Sequence, residues 1–395
     1  MSAASVPTRI AAALAAAGIV RPTLVLDDAA FQRNIARLRA VLPNSWTLRL
    51  ADKSLPVPGL LARALDGLNS AAIMSFHVPL TRRSLAELPV TDVLMGKPVP
   101  AVEAATLLRD LAPESAAKIT WLIDSMARLQ EYRAVAEQGG YSLRVAFEVD
   151  IGLGRGGFAS PQALHGAVVA AERSVNGGAS GQVPNATGQL MVVGIMGYDA
   201  HVMALPRVLG GGDRMQRQAM ARLAQFAGVL PVAARRIINT GGSTTLLRLG
   251  SDIPANDVTV GSLLVKPTHF EQPQNVDFEP TVFIVSPVLK RVMHTVPGHP
   301  RLSRWLHRLR LLDPEVAFIH GGQWLAEGCA PAGLKPSPFF GASSNQQGFA
   351  IPRGTPPFDQ LVLRPTQSEA VLQQFGELHI WREGAIVDAW PCWSP

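Results

Sequence analysis

The feature that most limits what this chain can fold into is an alternation. Between residues 47 and 265, eight short runs rich in apolar and β-branched residues (47–51, 71–75, 92–96, 118–124, 143–150, 190–197, 236–239 and 258–265) are separated by stretches whose apolar positions recur at helical spacing. Strands that read as nearly continuous apolar runs are buried on both faces, and such strands belong to parallel sheets with helical crossovers. The intervening helices are expected at 58–65, 79–87, 102–111, 125–138, 161–174 and 213–230. Eight units of this kind predict an α/β fold, a (β/α)8 TIM-type barrel, with a doubly wound open sheet as the alternative. In a barrel the reactive groups gather at the C-terminal ends of the strands, so strand ends are where chemistry is sought.

From residue 267 to 395 the pattern changes to short runs at 282–285, 288–294, 316–319, 360–363, 377–381 and 385–389, broken by Pro and Gly. This predicts a second, mostly antiparallel β domain. The barrel is expected over 23–266, with the run 23–26 falling outside the eight and able to pair in the β domain. Residues 1–22 are expected to be a helix and linker. The Ala-rich run 10–20 after Arg9 has the look of a signal-peptide core, but alanine has the highest helix propensity, and Gly18 followed by Pro22 is a helix stop, so a leading helix is predicted. The Gly- and Asn-rich stretch 176–187 reads as a surface loop without chemistry.

Composition narrows the partners. With 395 residues the chain is long enough for two domains. The formal net charge of +6 comes with no basic run of five or six, which reads as a solubility term with some attraction for anionic ligands and not as a nucleic-acid footprint. Cys329 and Cys392 are too few for a disulfide framework and lack zinc-site spacing, which fits a reducing cytoplasm. No apolar run reaches the roughly 18 residues of a membrane span.

Four strand ends carry candidate chemistry. Lys53 follows the first run; a lysine there is ordinarily solvated, but partial desolvation would make its amine a nucleophile. Glu148 to Phe158 (EVDIGLGRGGF) combines two carboxylates with four glycines around Arg155, and its spacing is not that of a dinucleotide fingerprint. Tyr198 and His201 lie in MGYDAH after the sixth run. Asn239 to Thr245 (NTGGSTT) offers free N–H groups and hydroxyls as an anion cup, without the lysine of a phosphate-transferring loop. An amine, a phosphate cup and a ligand-facing arginine are what pyridoxal phosphate requires.

With these motifs in hand, the sequence resembles the D-threonine aldolase and D-serine dehydratase-like family of fold-type III pyridoxal phosphate enzymes, which share the alanine racemase barrel. RPTLVLD at 21–27 with Asn34-Ile35 is similar to the family's start, and Arg49-Leu50-Ala51-Asp52-Lys53 to its cofactor segment, with Leu50 and Ala51 where Pro and His are usual. The resemblance implies that Lys53 forms the cofactor's Schiff base and that Arg155 faces the pyridine nitrogen. It places Tyr198 beside the cofactor and its phosphate on Thr240, Gly241, Gly242, Ser243 and Thr244. It also implies a homodimer and a small amino-acid substrate. The family's lyases hold a divalent metal on a His followed two residues later by Cys or Asp. Here no His stands two before Cys392, and His379 is thirteen positions upstream, so the metal lacks its ligand pair. His320 or Cys329 is then the candidate acid or base opposite Lys53. Polar stretches at 320–324, 343–347 and 364–369 are candidate substrate contacts. The expected activity is a lyase acting on a small, β-hydroxy D-amino acid, with a racemase and a non-catalytic pyridoxal phosphate carrier as alternatives.

Overall fold

The computed structural model describes residues 5–172, 188–203, 212–250 and 253–394; the stretch 176–187 lies outside them. Numbering strands along the chain, β1 is Thr23–Asp27, and eight more follow: β2 (Thr47–Ala51), β3 (Ala72–Ser75), β4 (Asp92–Met95), β5 (Ile119–Ile123), β6 (Ser142–Glu148), β7 (Gln189–Met196), β8 (Ile237–Thr240) and β9 (Asp257–Val260). These eight form a closed parallel barrel, in which β2 pairs with both β3 and β9. Each of the eight sequence runs supplies one strand, and closure removes the open-sheet alternative. β3, β5 and β8 are buried along their whole length, as strands covered by helices outside and side chains inside must be.

The covering helices begin and end on local signals. Pro58 and Pro79 stand in the first turns of Pro58–Gly67 and Val78–Glu87, where a missing N–H costs nothing. Ser125 accepts the N–H of Arg128 at 3.2 Å to cap Met126–Gly139, and Gly140 ends that helix in the left-handed region at φ 65°. The barrel unit is residues 35–263.

The second compact unit is residues 1–34 with 264–394, so the first 34 residues group with the C-terminal part and not with the barrel. Its strands are β10 (Val282–Met293), β11 (Glu315–His320), β12 (Ala326–Ala330), β13 (Lys335–Pro336), β14 (Gln346–Ile351), β15 (Gln360–Pro365), β16 (Glu377–Arg382) and β17 (Ala385–Pro391). β1 lies between β10, antiparallel, and β16, parallel. The helix Val6–Ala16 packs Ile10, Ala13 and Leu14 against Val25, Phe283 and Trp381.

Three features differ from the sequence expectation. β10 runs through Pro287 as one strand, with a register shift between Val288 and Lys290 absorbing the irregularity. β14 starts at Gln346, inside a stretch expected to be a polar loop, because pairing with β11 satisfies its backbone. The excess charge is also not spread evenly: residues 280–312 carry Lys290, Arg291, Arg301, Arg304, Arg308 and Arg310 and no carboxylate. Four of these six lie in or just beyond the helix Pro300–Arg308.

Candidate active site

β2 ends in a single 310 turn, Asp52–Ser54, that presents Lys53 at the C-terminal end of the barrel. Its Nζ stands 4.7 Å from the centroid of the Phe76 ring, just past the end of β3. The backbone of the next strand end comes unusually close to this turn. A Cβ placed on Gly261, after β9, would stand 2.6 Å from Ser54 Cβ and 3.0 Å from Ala51 Cβ, so only glycine lets the two chain segments meet.

The N–H of Gly261 in turn donates to Ser243 Oγ at 3.2 Å, as does the N–H of Leu263. This links the Lys53 turn to the NTGGST loop after β8. That loop is braced from below. Thr240 gives its hydroxyl to the Gly197 carbonyl at 2.8 Å, and Thr245 donates to Asp199 Oδ1 at 2.8 Å while accepting the Gly242 N–H at 3.2 Å. Asp199 is fully buried, and burial holds its carboxyl above the usual range against the hydrogen bonds from Thr245 and Gln216. Of the hydroxyls in the loop, those of Thr240, Ser243 and Thr245 therefore fix its shape.

Tyr198 closes over the same loop: a Cβ on Gly242 would lie 3.1 Å from its ring. On the other side of that ring system, the guanidinium carbon of Arg155 stands 5.2 Å from the Tyr198 centroid, an attractive cation–π distance. The loop that carries Arg155 is tied off as a closed unit. Phe158 donates to the Glu148 carbonyl at 2.8 Å and accepts from the Asp150 N–H at 3.1 Å. Asp150 Oδ1 accepts the N–H groups of Gly152 and Gly154 at 2.8 and 3.0 Å. Gly152, Gly154, Gly156 and Gly157 all have positive φ, which is why the sequence concentrates glycine here. The two carboxylates thus part company. Asp150 is held below the usual carboxylate range, burial being outweighed by the Gly154 and Gly152 N–H groups; Glu148 is pushed up by burial, with Arg155 pulling the other way. His201 is pushed down by burial, and its Nε2 would lie 2.9 Å from a Cβ on Gly152.

The structure therefore links the strand ends that carry the candidates: Ala51 and Ser54, on either side of the Asp52-Lys53 pair, meet Gly261, Gly261 binds Ser243, and Tyr198 lies against Gly242 and Arg155. The sequence reading had not singled out Phe76, Asp199 or Gly261. The only local signal for them was an aromatic, an acid and a glycine just past apolar runs, which is too common to act on.

The two remaining candidates belong to the β unit. His320 is exposed at the end of β11, opposite Gln346. Cys329 lies on β12 against the apolar cluster of Ile10, Leu14 and Val362, and burial pushes its thiol up to about 12. A thiol in that state neither gives nor takes a proton near neutrality, so Cys329 acts as packing. Cys392 is likewise pushed up to about 12 by burial. Among the described residues, no three His, Cys, Asp or Glu side chains gather as a metal-binding group. None of the helices there is long and apolar enough to cross a membrane.

Comparison with solved structures gives similar folds along nearly the whole chain. D-threonine aldolase from Filomicrobium marinum is 16% identical over 94% of each chain, with a TM-score of 0.71. D-threo-3-hydroxyaspartate dehydratase from Delftia sp. HT23 is 16% identical over 95% of this chain and 97% of its own, also with a TM-score of 0.71. Alanine racemase from E. faecalis is 14% identical over 87% and 88%, with a TM-score of 0.61. No curated protein sequence matches the chain. The family model described as alanine racemase, N-terminal domain, matches residues 26–268. A match over more than half of the chain, running through every strand of the barrel, shows that the chain belongs to the alanine racemase N-terminal domain family, whose fold-type III members use pyridoxal phosphate.

Proposed function

We propose that this chain is a pyridoxal phosphate-dependent lyase acting on a small D-amino acid with a β-hydroxyl, by aldol cleavage or dehydration. The observation that carries the reading is the linkage of strand ends in the barrel: the turn that bears Lys53 meets Gly261, Gly261 binds Ser243 of the glycine loop, and Tyr198 lies against Gly242 of that loop and against Arg155. The residues fit the cofactor on three counts. Lys53 supplies an amine at a strand end, beside an aromatic ring. The glycine loop, with its N–H groups and the hydroxyls of Ser243 and Thr244, suits a phosphate that is held and not transferred. Arg155 is a fixed cation on the rim.

When bound, the cofactor supplies a carbonyl that takes up an amine and a ring that draws electrons from the substrate's Cα. The rest falls to the protein. Lys53 would hold the cofactor through its amine and would serve as the base or acid at the substrate's Cα. An arginine offers N–H donors and no basic site to share a proton with a ring nitrogen, so Arg155 would leave the ring a moderate electron sink and so narrow side reactions. Tyr198 and the loop after β8 keep the phosphate end in place. The names of the two lyases with similar folds, both acting on hydroxylated D-amino acids, support the substrate class. A second reading, an amino-acid racemase, is supported by the description of the family model.

The test starts with absorbance. The protein with added pyridoxal phosphate is expected to show a band near the visible edge that Lys53→Ala abolishes, and absence of that band in the wild type sinks the cofactor reading. Incubation with D-threonine, D-serine and both alanine enantiomers then separates the reactions. Glycine plus aldehyde indicates an aldolase, an oxo acid plus ammonia a dehydratase, and loss of optical rotation alone a racemase. Loss of activity in chelator, restored by manganese or zinc, would add a metal to the site.

A further inference from the structure

Exposed apolar side chains are normally scattered singly over a protein surface. Here seven of the seventeen large ones among the described residues fall between residues 289 and 311, inside the carboxylate-free stretch 280–312 that carries six cations. The helix Pro300–Arg308 decides how they are displayed. Ser303 is its buried position, accepting the Val296 N–H at 2.9 Å and giving its hydroxyl to the His299 carbonyl at 2.9 Å. One turn on, His307 Nε2 donates to the His294 carbonyl at 2.7 Å. These two anchors fix the inward side of the helix at the end of β10. At about 100° per residue, Trp305 then falls opposite that side, with Arg301, Arg304 and Arg308 along one flank and Leu302 and Leu309 along the other. All six are exposed, Trp305 by 55%. No carboxylate among the described residues pairs with any of the three arginines. Met293, beside the His294 anchor, and Leu311, just past the helix, are 69% and 68% exposed and enlarge the patch, and Glu315, opposite Met293 in the sheet, marks its edge.

We propose that this face docks on an anionic lipid surface, with Trp305 and the two leucines entering the headgroup region and the arginines meeting lipid phosphates. A face that merely met water would account for the arginines, but not for a tryptophan and two leucines standing out from the helix beside them. A second copy of the chain laid symmetrically on the same face would set arginines against arginines. A nucleic acid would use the arginines and leave the leucines unburied. A protein partner presents both signs of charge at fixed places, whereas an anionic bilayer presents one sign everywhere, which is what a patch of one sign without a carboxylate matches. The long arginine stems lie along apolar surface while their guanidinium groups stay in the polar layer, so the leucines can enter without drawing the charges in after them.

The experiment is cosedimentation of the full chain at low salt with vesicles of phosphatidylcholine and phosphatidylglycerol, against vesicles of phosphatidylcholine alone. The wild type is expected to bind the anionic vesicles only and to be released by high salt. Replacing all three arginines, Arg301→Gln, Arg304→Gln and Arg308→Gln, is expected to weaken binding about 100-fold, at roughly fivefold for each charge. Trp305→Ser is expected to weaken it about tenfold through the lost apolar burial. The substituted side chains are exposed, so both variants should keep the wild-type circular dichroism. Should either fail to fold, Arg304→Gln alone carries the test, with an expected loss of about fivefold. A wild type that stays in the supernatant with anionic vesicles overturns the proposal. So does full binding by the arginine variant, or by Trp305→Ser, which would mark a patch that attracts lipid without entering it. Tighter binding of a DNA duplex at the same salt, or self-association in sedimentation velocity that Trp305→Ser abolishes, assigns the face to another occupant and overturns it as well. None of these readouts needs cofactor or substrate, so they stand apart from the proposed function.

Discussion

The two ends of the barrel handle charge in opposite ways. At the N-terminal end Arg49, 1% exposed, is gripped by Asp257 at 2.8 Å and Asp92 at 2.5 Å, and Arg144 takes the other oxygen of Asp92 at 2.7 Å. Two cations face two anions, and Asn239 satisfies Asp257 further at 2.6 Å. Burial lowers Arg49, but Asp257 and Asp92 more than reverse it; burial raises Asp92, but Arg49 and Arg144 bring it below the usual carboxylate range. Asp257 is raised by burial, against the pull of Arg49 and the hydrogen bond from Asn239. At the C-terminal end burial is left largely uncompensated: it pushes Asp52 and Glu148 up and His201 down. The first arrangement ties strands together through paired charges; the second leaves burial as the main influence on its titratable groups, at the end of the barrel where chemistry takes place.

The largest test of this contrast is Arg49→Leu, which strands the buried Asp257 inside the barrel and leaves Asp92 to Arg144 alone. It is expected to cost about 4 kcal/mol in urea unfolding, as removal of one partner from a buried ion pair does. If Asp52→Asn costs as much at pH 5, the two ends do not differ and the comparison fails.

Next comes the pH dependence of stability. Asp52 has a folded pKa raised from 3.8 to about 7, so between those values the folded protein holds a proton that the unfolded chain has released. Stability contributed by this group is therefore present below about pH 4 and falls as pH rises toward 7, by about 4 kcal/mol when fully expressed. Unfolding of the wild type and Asp52→Asn at pH 5 and pH 8 checks the sign, since the variant should be relatively more stable at pH 8.

The smallest expected effect on stability is that of Gly261→Ala. The added methyl must push the Ser54 side chain and with it the Lys53 turn, at about 1 kcal/mol in unfolding. A displacement of the amine by a fraction of an ångström would lower kcat/KM by about 100-fold, so activity and stability should separate sharply. Equal and modest losses in both would mean that the Gly261 contact does not position Lys53.

How much of this was legible beforehand follows from how local each signal is. The eight barrel strands could be read because a parallel strand buried on both faces is an apolar run wherever it pairs. β12, with sequence AEGCA, and β14, starting QQ, could not, since what makes them strands is backbone pairing with β15 and β11, far away in sequence. The place of β1 beside β10 and β16 was likewise a matter of partners hundreds of residues distant. At the site, Lys53, Arg155, Tyr198 and the glycine loop announced themselves by residue type at strand ends. That the Thr240 hydroxyl is spent on the Gly197 carbonyl, and that Cys329, a candidate acid or base by residue type, packs against the cluster of Ile10 and Leu14, could not be read from either segment alone.

The sequence by itself determined the barrel, its eight strands and the residue types at their ends, because burial on both faces and glycine at positive φ are requirements each segment meets alone. Tertiary structure decided which of those groups touch and which are charged. The meeting of Ser54 with Gly261, the pairing of Arg49 with Asp257 and Asp92, and the isolation of Asp52 beside Lys53 depend on distance and desolvation between segments far apart in the chain, and neither can be read from one segment at a time.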